Sequence, residues 1–115
     1  MKIKHVHTVM VPQEDGSQVE TRVEIEIPQF ESQGAEELFE NHRSEVYSAI
    51  VVGITRMMNM KTDRIACFSI GDLVFELGKE TSEDNLKRCI QYYQELEDYE
   101  TCAFIVQNLL PYINS

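Results

Sequence analysis

The stretch from Glu45 to Met60, EVYSAIVVGITRMMNM, restricts the fold of this chain more than any other. Between Glu45 and Arg56 it carries no charged side chain, and apolar groups stand at Val46, Tyr47, Ile50, Val51, Ile54, Met57 and Met58. These positions run i, i+4, i+8 and i, i+4, i+7, i+11, so about half or more of a helix circumference is apolar. Such a helix needs cover on more than one side. The uncharged run is too short to cross a bilayer, which takes about 20 apolar residues, and it therefore predicts a buried central helix. Ala49 and Gly53, four apart, leave room for a neighbouring element to approach closely.

The remainder must supply that cover. A chain of 115 residues, 43% hydrophobic, can enclose one core and reads as a single domain over 1–115 with no repeat and no low-complexity tract. The formal net charge is −10, and no segment is basic. Direct nucleic-acid binding needs Lys and Arg to displace phosphate counterions, so it is disfavoured, as is docking to an anionic membrane surface. A basic protein partner suits the sign, although solubility alone is a sufficient reason for such a charge. The first residues, MKIKHVHTVMV, do not read as a signal peptide, because Lys4, His5 and His7 interrupt any apolar core. Cys67, Cys89 and Cys102 form no C-x-x-C and leave an odd thiol in any pairing scheme. Together these features predict a cytoplasmic, reducing setting.

Residues 1–28 predict a β-hairpin. Val19, Thr21, Val23, Ile25 and Ile27 alternate with Glu20, Arg22, Glu24 and Glu26, the pattern of a half-buried strand closed by Pro28. Asp15-Gly16 is a two-residue turn signal. With that turn, His5 falls opposite Glu26 and His7 opposite Glu24, on the outer face, which makes a His-x-His beside Glu-x-Glu constellation. A three-residue turn would slip the register by one and send Ile3, His5, His7, Val9 and Val11 inward instead. Imidazole beside carboxylate is also an ordinary favourable cross-strand pair, and a flat strand face spreads ligands too widely for a tetrahedral metal. The expectation is therefore no metal and no cofactor, with His5, His7, Glu24 and Glu26 as the candidate ligands should one bind.

After a polar connector from Gln29 to Gly34, the central helix is predicted over 35–60, with Glu36 and Glu37 at the positive end of its dipole. His42 reads as a solvated surface residue. Residues 65–78, IACFSIGDLVFELG, predict a second hairpin about a Gly71-Asp72 turn of type II′, pairing Ile70 with Leu73, Phe68 with Phe75 and Ala66 with Leu77. Residues 82–113 predict a helical hairpin. Thr81-Ser82-Glu83-Asp84 offers a capping box, Leu86, Cys89, Ile90, Tyr93 and Leu96 a buried stripe, and Asp98 the next N-cap. The last helix is expected to turn Tyr99, Cys102, Ala103, Val106, Leu109, Leu110 and Ile113 inward, with Pro111 limiting its final regular turn.

In this hairpin, Glu97-Asp98-Tyr99-Glu100 followed by Cys102-Ala103 resembles the UVR-type hairpin of nucleotide-excision-repair proteins over about 27 residues. It departs from that pattern at Val106-Gln107, where the family places an Arg-Asp pair. The resemblance implies at most a protein-docking element, and with that departure no repair function is inferred from it.

Tyr92 and Phe104 fall off the inward phase of their helices and are the candidate interaction residues, although single exposed aromatics are common. Among catalytic signatures, no phosphate loop, no G-x-S-x-G elbow and no H-E-x-x-H is present. The sequence thus predicts an α+β fold in the order ββ-α-ββ-α-α, an antiparallel sheet of about four strands packed by the long helix, with a C-terminal αα-hairpin. The expected function is that of a non-enzymatic protein-interaction or structural subunit, a homo-oligomer or a part of a larger assembly. The alternative is an acidic phage-type inhibitor or decoy that occupies the basic groove of a nucleic-acid-handling protein.

Overall fold

The computed structural model describes residues 1–31 and 34–115, so Ser32 and Gln33 of the connector lie outside the described residues. Strands β1 (Lys2–Pro12) and β2 (Gln18–Phe30) form the first hairpin, followed by helix α1 (Ala35–Met60). Strands β3 (Arg64–Ile70) and β4 (Leu73–Gly78) form the second. A 3-10 turn (Lys79–Thr81) leads into α2 (Ser82–Glu95), and the last helix begins as α3 (Tyr99–Phe104), widens through a π-helical stretch (Ile105–Leu109) and closes as α4 (Leu110–Ile113).

The class is α+β, but the sheet is mixed and not antiparallel throughout. Its order is β1-β2-β3-β4, and β2 runs parallel to β3 at Gln29↔Ser69 and Phe30↔Ile70. The long helix joins those two strands, so the chain returns to the sheet travelling in the same direction, as a helical crossover allows and a tight turn does not. Pro28 accordingly does not end β2. It stands where the strand passes from one partner to the other: Lys2 faces Pro28, whereas Gln29 already pairs with Ser69. The missing donor of Pro28 falls at that changeover.

The first hairpin takes the three-residue turn. Gln13 N donates to Ser17 O, and Gly16 adopts φ +88°, the left-handed conformation that follows a type I turn in such loops. Asp15 is not left-handed, as a type I′ turn would require. Its carboxylate instead accepts from Ser17 N at 2.9 Å and Ser17 Oγ at 2.6 Å, and these bonds hold its pKa below the ordinary carboxylate value. The register therefore slips by one, with His5 opposite Ile25 and His7 opposite Val23. The second hairpin turns at Gly71, φ +57°, and pairs Ile70 with Leu73 and Phe68 with Phe75. A bulge between Ala66 and Phe68 then moves Ala66 opposite Glu76 and not Leu77.

Helix α1 has the predicted bounds, and Val46, Ala49, Ile50, Ile54 and Met57 are buried. It is not straight, because His42 leaves helical geometry at φ −134°, ψ 27° and its ring lies 5.2 Å from that of Phe30. His42 is thus half-buried and not a free surface group. On one side Gly53 lies directly against Cys67 of β3. On others the helix meets Leu86 and Cys89 of α2 and Ile105, Leu109 and Ile113 of the last helix, all within one core. The N-terminus of α2 is held differently from the expected capping box: Thr81 Oγ1 and Ser82 Oγ both donate back to Gly78 O. Asp98 does cap α3, accepting from Thr101 N at 3.2 Å and Thr101 Oγ1 at 2.7 Å.

The π-helical stretch has a cause in the sequence. Pro111 has no N–H for the carbonyl of Gln107, and its ring would crowd that oxygen in a regular helix, so the turn before it widens. Cys102, Ile105, Leu109 and Ile113 face the core. The outward turn of Tyr99 and Val106, 64% and 51% exposed, and of Ala103, exposed between them, corrects the expectation that they point inward.

Candidate functional site

Chemically distinctive side chains gather at three places, the first being the inner face of the first hairpin. The one-residue slip separates the expected constellation: His5 and His7 face inward with Val9, whereas Glu24 and Glu26 stay exposed on the opposite face. Glu24 there pairs with Lys4 at 3.6 Å. The histidines meet a different carboxylate. Donor atoms of His5, His7 and Glu76 all lie within 4.8 Å of one another. They border an open hollow of about 590 Å³ that Asp63 and Arg64 also line.

His7 is 7% exposed, and its Nε2 is, among the described residues, the buried side-chain nitrogen or oxygen left without a hydrogen-bond partner. Leaving such a group unsatisfied costs about 1–3 kcal/mol. Glu76 reaches the cluster from β4, on the far side of the sheet order, and its Oε2 also faces Arg64 Nε at 3.5 Å. Two imidazoles and a carboxylate are a donor set for a divalent transition metal. No spacing in the sequence ties residue 76 to residues 5 and 7. The signal for their inward turn was the three-residue hairpin alternative.

The second surface is the C-terminal helix. Tyr92 stacks on Tyr47 with ring centroids 4.6 Å apart and meets Tyr93 edge-on at 5.1 Å, so it is half-buried between α1 and α2. Phe104 is 36% exposed. Beside it Tyr99, Ala103 and Val106 are exposed at i, i+4, i+7, and Leu96 is exposed in the preceding turn. Leu96 was expected in the buried stripe of α2, but it caps that helix where Glu97 turns left-handed at φ +59°, which carries it out of the core. Glu95, Glu97 and Glu100 stand exposed at this end, while Gln107 and Asn108 are neutral.

The third comprises the thiols. Cys67, Cys89 and Cys102 are all free and buried. Burial, the largest cause, pushes the Cys67 and Cys89 thiols from 9.0 up to about 12. A thiol held neutral is a poor nucleophile, so native protein is expected to resist a thiol reagent until denaturant is added. The same shift contributes to the alkaline stability. Below pH 9 both states keep these protons and nothing is lost. Between 9 and 12 only the unfolded chain releases them, so stability falls as pH rises, by up to about 1.4 kcal/mol per pH unit for each thiol. Urea midpoints measured from pH 8 to 10.5 check this, and a flat profile would refute it.

No family model, curated protein or solved structure matches this chain. The likeness of the C-terminal hairpin to the UVR type therefore rests on its residues alone. Among the described residues, no helix is long and apolar enough to cross a membrane.

Proposed function

We propose that this chain is a non-catalytic interaction subunit that pairs with a second copy of itself through the exposed face of its last helix. The observation that carries this reading is the apolar row Tyr99, Ala103 and Val106, continued by Leu96 in the turn and flanked by Phe104. Rows at this spacing favour helix-to-helix packing. Ala103, the smallest member, is central and permits close approach. The distribution of charge favours an antiparallel two-fold arrangement. Glu95, Glu97 and Glu100 crowd one end and Gln107 and Asn108 the other, so an antiparallel pair sets each acidic end against a neutral one, whereas a parallel pair would juxtapose the acids. The outer edge of β1 is a less suitable seam, since Lys2, Lys4 and Pro12 guard it against strand addition.

Absolute mass by light scattering behind a sizing column, at low and high salt, tests the reading. A dimer is expected in both, slightly favoured at high salt where the −10 charges of the two copies are screened. Tyr99→Glu with Val106→Glu is expected to give a folded monomer, and Phe104→Glu to weaken association. A wild-type monomer at both salts would overturn the reading. Capture of a basic protein by that monomer only at low salt would favour the acidic-decoy alternative.

A further inference from the structure

We propose that His5, His7 and Glu76 form a binding site for one divalent transition-metal ion of the zinc class, with a fourth coordination position open to the adjoining hollow. Two independent observations converge on it. The first is geometric: two imidazoles on β1 and a carboxylate on β4 bring their donor atoms within 4.8 Å of one another. The second is the buried Nε2 of His7, which has no hydrogen-bond partner among the described residues and belongs to a side chain that lines the same hollow.

The arrangement answers the objection that a strand face is too flat for a tetrahedral ion. His5 and His7, two apart on β1, point to the same side, and Glu76 approaches from β4, which supplies the third direction. Zinc bonds of about 2.0–2.2 Å require donors closer together than the present envelope. Glu76 is exposed and His5 half-buried, so their side chains can rotate to close on the more rigidly held His7. The donor set selects the metal. Ca²⁺ and Mg²⁺ prefer all-oxygen shells, whereas imidazole with carboxylate suits Zn²⁺ and Co²⁺. With three protein donors, the remaining position facing the hollow takes water or a small anion. Arg64 opposes the ion, because its guanidinium already pairs with Glu76 across 3.5 Å. Its positive charge repels a cation and its pairing draws on the same carboxylate, which sets it as a competitor.

The test uses the full chain, freed of metal with a chelator and titrated with Zn²⁺ or Co²⁺. Calorimetry is expected to find one equivalent bound, with a raised melting temperature. Co²⁺ is expected to give visible absorption of a four- or five-coordinate ion, and Mg²⁺ and Ca²⁺ to do neither. Glu76→Gln, at an exposed position and nearly isosteric, is expected to weaken Zn²⁺ about tenfold or more, and His5→Gln likewise. Arg64→Gln is expected to tighten it, a result that a purely structural role for Arg64 would not produce. In nitrogen-detected imidazole spectra the His7 Nε2 resonance is expected to shift on loading. Binding of several equivalents that Glu76→Gln and His5→Gln leave unchanged would assign the ion to surface carboxylates and overturn the proposal. Absence of binding would overturn it as well, leaving water as the partner of Nε2.

Discussion

Ile105→Ala is expected to destabilise the protein by about 2–5 kcal/mol, whereas Val106→Ala, one residue on, should stay within about 0.5 kcal/mol of the parent. Ile105 is fully buried and Val106 is 51% exposed. Ile105 belongs to the one core that Ile54 and Met57 of α1 and Leu86 of α2 share, so truncation leaves a void among fully buried side chains. Urea denaturation of the two variants, with unchanged slope, measures the difference. For a chain of this length the larger loss lowers the melting temperature by roughly 10 °C or more. The opposite ranking would mean that the last helix is rotated about its axis, and the row offered to a second copy would then be its core face.

That pair of residues also marks where local pattern ceases to determine structure. The last helix carries two apolar rows side by side, Tyr99-Ala103-Val106-Leu110 and Cys102-Ile105-Leu109-Ile113. Both have helical spacing, and only docking against α1 and α2 decides which is buried. Helix α1 was legible because its apolar surface is too wide to be satisfied by any other placement. The second hairpin was legible at Gly71 for a related reason: turn chemistry and strand pattern agree there, and Ile70 meets Leu73 as expected. The bulge beyond Phe68 has no such signature.

The first hairpin shows how small the decisive energies are. Asp15-Gly16 serves a two-residue and a three-residue turn alike, and the choice follows from hydrogen bonds between Asp15 and Ser17. A single-residue slip then exchanges the faces of an 11-residue strand and moves both histidines to its inner face, where His7 is buried and His5 half-buried. Val9, buried beside them, makes the slip consistent with the core, while Val6 and Met10 are left exposed on the outer face. Glu76 was not legible at all. Its meeting with His5 and His7 depends on how the long hairpin lies across the start of β3 and on β4, and the parallel contact of β2 with β3, which anchors that arrangement, is confined to Gln29 and Phe30. Contacts between residues so far apart in the chain leave no periodic trace.

The second large effect is expected at Gly53. This residue is buried on α1 where the helix rests on β3, and a Cβ built there would overlap Cys67 Sγ, lie 3.3 Å from Cys67 Cβ and 3.5 Å from its Cα. In an exposed helix, replacing glycine by alanine stabilises by about 1 kcal/mol. Here the sign reverses. Cys67 is 2% exposed, and because its Cβ and Cα crowd the same point as its sulfur, rotation of its one side-chain bond does not by itself make room. Overpacking of this kind costs about 1–3 kcal/mol and sometimes more, so Gly53→Ala should be destabilising by about 1–2 kcal/mol net. Gly53→Val, whose added methyl groups meet the β3 backbone as well, should lose about 4 kcal/mol or more. The cause is separable from any intrinsic weakness of the helix by a double-mutant cycle. Cys67→Ala removes the sulfur, and in that background Gly53→Ala should become neutral or stabilising, a coupling of about 1–3 kcal/mol. Urea midpoints of the four proteins decide the matter. Additive losses would place the strain elsewhere, whereas recovery in the double variant would identify the contact between Gly53 and Cys67 as what sets the spacing of α1 from the sheet.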